Sequence, residues 1–171
     1  MEMNKKEILN RLLQVDKDMA LIDPTEDQYM CVIVGGSALV ILEKIVRSTH
    51  DIDSINASEE IQDLLEMYNI NMNVRAYLVN FPDSYLNRIV KVDIPTKKVV
   101  FYTTSLEDLV ISKLASDRQK DKQDIENERI YKDLNWDLMD ELIEEVCEGL
   151  LTDRDCRTLR DAYRDYKERF Q

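Results

Sequence analysis

Two glycines and a serine, Gly35-Gly36-Ser37, and two aspartates one residue apart, Asp51-Ile52-Asp53, are the residues whose types and spacing could do chemistry. The chain holds only three glycines, and two stand side by side here, where a missing Cβ permits positive φ and lets backbone approach a ligand. The apolar, β-branched run Met30 to Val34 leads into them, and Ala38, Leu39, Ile41, Leu42, Ile45 and Val46 follow at helical spacing. This pattern predicts a strand, a glycine turn and a helix that begins at Ser37 and ends near Arg47-Ser48-Thr49, its N-terminal amides suited to phosphate. Beyond the helix, a period of two puts Asp51 and Asp53 on one face of a strand and Ile52 on the other. Two carboxylates about 5 Å apart at an effective dielectric near 20 repel by roughly 3 kcal/mol, and a divalent cation such as Mg²⁺ relieves that repulsion. Taken singly, the turn and the acids read as a tight connection and an edge strand in water; together they read as a phosphate and metal site.

The elements that must hold these residues can be traced along the chain. Met3, Ile8, Leu9, Leu12, Leu13 and Val15 form the apolar stripe of an opening helix, which Asp23-Pro24-Thr25 breaks. A further helix starts at Ser58 or Glu59 with Ile61, Leu64, Leu65 and Tyr68 on one face, and is expected to cross back over the sheet. Three strand-like runs come next, Val74 to Val79, Arg88 to Ile94 and Val99 to Tyr102, and complete a mixed sheet. From Ser105 onward the pattern is wholly helical, beginning with a capping box at Ser105-Leu106-Glu107-Asp108 and continuing through Ile125 to Tyr131, Trp136 to Leu150 and Arg157 to Phe170. Gly149 is expected to disrupt the second of these helices near its end, and Thr152 to cap the third. The expectation is an α/β (α+β) chain: a core over residues 1–104 and a helical extension over residues 105–171 packed on it.

The two motif blocks resemble the nucleotidyltransferase superfamily of polymerase-β type, whose signature is Gly-Gly-Ser, a helix, then Asp-x-Asp. Gly35, Gly36, Ser37, Asp51 and Asp53 match it, and the Arg47-Ser48-Thr49-His50-Asp51-Ile52-Asp53 form is similar to small prokaryotic members, the minimal nucleotidyltransferases and the AbiEii-type toxins. In that branch a helix carrying Lys, then Arg, then spaced Asp follows the sheet, and Lys113, Arg118, Asp121 and Asp124 match that order. The resemblance implies an NTP held by Gly35, Gly36, Ser37 and Arg47, Mg²⁺ on Asp51 and Asp53, and Lys113 neutralising phosphate charge from across a cleft. Asp121 would orient Lys113 or help the metal, and Asp124 would be a packing contact or cap. Asp93 falls where many members carry a third metal carboxylate. An ordinary surface lysine beside Asp117 is the alternative for Lys113.

Composition narrows the partners. The net charge of −12 opposes general nucleic-acid binding, although residues 71–112 are close to neutral against a strongly acidic residues 1–70. Cys31, Cys147 and Cys156 lack C-x-x-C spacing and read as reduced thiols, and the N-terminus shows no apolar leader, so a cytoplasmic protein without membrane attachment is expected. The expected activity is Mg²⁺-dependent transfer of a nucleoside monophosphate to a hydroxyl on tRNA, protein or a small molecule. The resemblance further implies a toxin with an antitoxin partner, or a phage-defence protein. The rival expectation is a catalytically silent fold member that binds nucleotide and regulates.

Overall fold

The computed structural model describes residues 2–74, 81–150 and 152–171. Two compact units make it up, one of Met1–Val74 with Ile89–Thr104 and one of Arg75–Arg88 with Ser105–Gln171.

The first unit is built on β1 (Tyr29–Val34), whose residues from Cys31 to Val34 are all buried, as an unbroken apolar run demands of a strand covered on both faces. Among the described residues it occupies the middle of a five-stranded mixed sheet with order β3-β2-β1-β5-β4. β2 (Ile52–Ile55) lies antiparallel to it, with Val34 opposite Asp53, and β5 (Val99–Thr103) lies parallel, with Ile33 opposite Thr103. The edges are β3 (Ile70–Asn71) and β4 (Val90–Lys91), two residues each, and such short edges offer little template for pairing with another chain. A 3-10 turn at Glu59–Ile61 and α3 (Gln62–Met67) join β2 to its parallel neighbour β3, which is the expected crossover. The strand expected over Val74 to Val79 lies largely outside the described residues. Of the run Arg88 to Ile94 only Val90 and Lys91 form a strand.

One helix of this unit meets expectation and one differs. α1 (Lys5–Ile22) ends at the expected break before Asp23-Pro24-Thr25, carries its buried face past Val15 through Asp16 and Met19, and starts from a capping box between Asn4 and Glu7. α2 (Gly35–Ile41) is shorter than its periodicity suggested and ends six residues before Arg47. Glu43 adopts left-handed φ of 59°, Lys44 N–H donates to Leu39 O at 2.9 Å and Glu43 N–H to Val40 O at 3.1 Å, a Schellman closure made without glycine. Ile45 is buried although it is no longer helical, so its apolar period reported burial and not helix.

Asp16 joins α1 to the start of β5. Its buried carboxylate accepts the backbone N–H groups of Lys97 at 3.0 Å, Lys98 at 2.7 Å and Val99 at 2.8 Å, a nest of successive amides around one anion.

The second unit is helical: α4 (Leu106–Leu114), α5 (Gln119–Ile125), α6 (Glu128–Tyr131), α7 (Trp136–Gly149) and α8 (Asp153–Phe170). Ser105 caps α4 by accepting from Asp108 N–H, and Thr152 caps α8 by accepting from Asp155 N–H, as their positions in the sequence predicted. Ile130, Met139, Ile143, Val146 and Leu159 fill its core, while Tyr131, Trp136, Tyr166 and Phe170 stack or tilt against one another with centroids 4.8–5.8 Å apart. Leu150 turns extended at the end of α7, and a Cβ on Gly149 would meet nothing within 4 Å, so sterics place no demand for glycine there. No helix among the described residues is long and apolar enough to cross a membrane.

Asp16→Ala is expected to destabilise the protein by roughly 2–4 kcal/mol, since three backbone donors lose one shared acceptor and two of the bonds are buried. Urea titration of the purified variant measures this, and a loss under about 0.5 kcal/mol, the range of an ordinary surface change, would show the nest to be dispensable.

Candidate functional site

β1 delivers the chain into Gly35, whose φ of 67° is the left-handed conformation that a side chain resists. A Cβ built there would come within 3.2 Å of Asp53 Oδ2, so the carboxylate of the acidic strand lies against bare backbone. Gly36 is matched in this, because a Cβ built there would come within 3.1 Å of Arg47 Nη2 and 3.6 Å of Thr49 Oγ1. The early end of α2 is what permits this: the chain from Leu42 to His50 is released to fold back, and brings a guanidinium to the glycine turn.

That returning loop is pinned from the N-terminus. Met3 and Thr49 exchange both backbone hydrogen bonds, at 2.7 and 3.0 Å, and the Met3 side chain is buried. Thr49 Oγ1 donates to Asp51 O at 3.1 Å, which fixes the entry into β2. Arg47 Nη1 donates to Ser48 O at 3.1 Å. Ser37 is buried and its hydroxyl donates to Val34 O at 2.9 Å, so its proton is committed within the turn while its oxygen retains acceptor capacity. His50 is exposed and 3.5 Å from a Glu2 carboxylate oxygen.

Asp51 is exposed just ahead of β2, and Asp53 is half-buried within it. Asn71, a residue that sequence reasoning did not single out, donates from Nδ2 to Asp53 Oδ1 at 3.0 Å. A two-residue strand carries too little pattern to be read beforehand, and no other signal marks it. Asp93 is exposed two residues beyond β4. Among the described residues no group of three or more His, Cys, Asp or Glu could hold a metal ion, so a cation held by Asp51 and Asp53 would need the rest of its oxygens from phosphate and water. Oxygen-only donors in that number suit a hard cation that keeps several waters, and Mg²⁺ fits this description.

Lys113, Asp121 and Asp124 come together inside the second unit, all three buried. The ammonium donates to Asp121 Oδ1 at 2.5 Å and to Asp124 Oδ2 at 3.0 Å, and Ser116 Oγ and Arg118 Nε donate to Asp121 Oδ2 at 2.7 and 2.8 Å. The segment read as one helix is two, α4 and α5, and the break at Ala115–Arg118 folds the acids of α5 back onto the lysine of α4. Burial, the largest single influence on Asp121, pushes its carboxyl up, but Lys113, Ser116 and Arg118 together outweigh it and hold it below the ordinary range. The Cys31 thiol, pushed up to about 12 by burial, is unreactive core.

Two outcomes follow from these contacts. Gly35→Ala is expected to cost about 1–2 kcal/mol from backbone strain alone, with Asp53 displaced as well, whereas Gly36→Ala meets only the movable end of Arg47 and costs far less; chemical denaturation of the two variants side by side checks the order. Lys113→Met leaves two buried carboxylates without their cation and is expected to cost roughly 3–5 kcal/mol at neutral pH. Because the native Asp121 carboxyl lies below its unfolded value, its contribution is complete above the unfolded carboxylate range and is lost as pH falls through the native value. The gap between wild type and Lys113→Met should therefore narrow below about pH 4, and thermal melts from pH 3 to 7 would show it.

Comparison with known proteins places this geometry in context. No curated protein matched the chain, and no solved structure did. The model of a family described as nucleotidyltransferase of unknown function (DUF6036) matches residues 10–171, which takes in the glycine turn, the acidic strand and the helical unit together. The chain therefore belongs to that nucleotidyltransferase family.

Proposed function

We propose that the protein moves a nucleoside monophosphate from an NTP to an acceptor hydroxyl, with the triphosphate at Gly35, Gly36, Ser37 and Arg47 and Mg²⁺ on Asp51 and Asp53. The observation that carries the reading is the position of Asp53 Oδ2, which a Cβ on Gly35 would approach to 3.2 Å, since it sets an acid able to hold a cation beside the glycine turn. Backbone amides of the turn and the Arg47 guanidinium would bind and orient phosphate oxygens, the latter as a planar fork. The bound ion would supply charge neutralisation at the triphosphate and at the attacking and leaving oxygens. Phosphoryl chemistry asks little else of the protein beyond positioning and electrostatics. No step is assigned to Lys113 or Asp121, whose cluster already accounts for their burial.

The acceptor is a hydroxyl of tRNA, protein or a small molecule, and the net charge of −12 favours the latter two. A toxin acting against its host, held in check by an antitoxin, is the setting that the motif resemblance to AbiEii-type proteins supports. The two-carboxylate donor set favours the second reading, a silent fold member that binds nucleotide and regulates.

Calorimetric titration with each NTP, with and without Mg²⁺, is expected to show Mg²⁺-dependent binding of at least one nucleotide, lost in Asp51→Asn and Asp53→Asn with the fold intact. Absence of binding at millimolar NTP in either condition overturns the site. Incubation with α-labelled NTPs and whole-cell extract then separates the readings: label on RNA, protein or small molecules that disappears in the double variant identifies transfer and its acceptor. Binding without any label supports the regulator.

A further inference from the structure

We infer that Asn71 is the positioning residue of the acidic site, setting which oxygen of Asp53 is presented to a cation; this rests on the reading of Asp53 as a metal ligand. Asn71 and Asp53 are register partners across the parallel β2–β3 pair, and Asp53 is in turn the partner of Val34 at the end of β1. Cross-strand partners share a sheet face, so Asn71, Asp53 and the last residue before the glycine turn form one row.

The direction of the carboxamide is set by its own surroundings. Asn71 Oδ1 accepts from Asn73 N–H at 2.9 Å, and the amide nitrogen is thereby turned toward Asp53 Oδ1, 3.0 Å away. The backbone at Asn71 is held too, its carbonyl accepting from the buried Ser54 hydroxyl at 3.3 Å. Oδ1 of Asp53 thus takes a hydrogen bond from a neutral donor, and Oδ2 lies where a Cβ on Gly35 would come within 3.2 Å of it.

The chemistry of the donor matters. A lysine or arginine at this place would hold the carboxylate equally well but would neutralise it and compete with a cation. An aspartate would repel it. A carboxamide orients the acid without adding a charge of its own, which is the job that partners of metal-binding carboxylates perform. Asn71 acts through Asp53 and touches no reacting group itself.

The test uses the full chain and Mn²⁺ as the probe, titrated by electron paramagnetic resonance alone and with the NTP that binds best by calorimetry. Asn71→Leu keeps the volume and removes the donor; Asn71→Gln keeps the carboxamide on an exposed side chain able to adjust; Asn73→Ala keeps the backbone N–H that Asn71 uses. Asn71→Leu should weaken Mn²⁺ binding about 10-fold, with melting temperature within about 2 °C of wild type, a shift small for a chain of this size. Asn71→Gln should recover most of the affinity, and Asn73→Ala should match wild type. Wild-type Mn²⁺ affinity in Asn71→Leu overturns the inference and leaves the functional reading standing. Equal loss in the Leu and Gln variants together with a lowered melting temperature overturns it in favour of a structural role. Failure of the wild type to bind Mn²⁺ with any NTP overturns the reading of Asp53 itself, and this inference with it.

Discussion

One close approach organises the first unit: the Asp53 carboxylate lies beside Gly35, where a Cβ would come within 3.2 Å of its Oδ2. It requires a residue with positive φ and no side chain at the exit of β1, and it requires β2 to pair antiparallel to β1 so that Asp53 stands opposite Val34. Neither condition can be relaxed alone. A Cβ at Gly35 displaces the acid, and a one-residue slip of β2 turns Asp53 to the other face and exposes Ile52 and Ser54, which are now buried. The apolar face of β2 therefore fixes the position of its charged residue.

Everything else near the turn extends this constraint. The Schellman end of α2 shortens the helix so that Arg47 can reach Gly36, and the pairing of Met3 with Thr49 holds the returning loop in place. Burial energy of ordinary apolar side chains, Met3 and Ile45 among them, thus orders a segment whose own residues are mostly polar. Here the two glycines allow Asp53 and Arg47 to approach closely, and the surrounding contacts give rigidity.

The second unit solves a different electrostatic problem. A buried lysine is tolerable only with its charge matched, and Lys113 meets Asp121 and Asp124 while Ser116 and Arg118 satisfy the remaining oxygen of Asp121. Such a cluster demands one arrangement of α4 and α5, because any other leaves charge unpaired in the interior. Its order in the sequence suggested a phosphate-binding Lys113 with Asp121 orienting it and Asp124 as a packing contact or cap. In the fold it is a mutual lock between two short helices.

Residue type and short-range period were enough to read the core strand, the glycine turn, the strand that carries Asp53, the caps at Ser105 and Thr152 and the helical character after Ser105, whereas Asp51, expected on the same strand face, lies just outside that strand. Each of these depends on local chemistry: an unbroken apolar run, a missing Cβ, a side chain able to accept a backbone N–H. Tertiary structure alone decided the early end of α2, where left-handed Glu43 replaced the glycine that would have announced it, and the break between α4 and α5, which Lys113 and its two acids impose at a distance. Asn71 belongs with these. It sits eighteen residues from Asp53 in a strand of two, and only the parallel pairing of β2 with β3, a contact set by the burial of Ile52 and Ile70, brings its amide to the carboxylate. Local pattern records what a residue prefers, whereas partners far apart in sequence are chosen by the packing of the apolar residues between them.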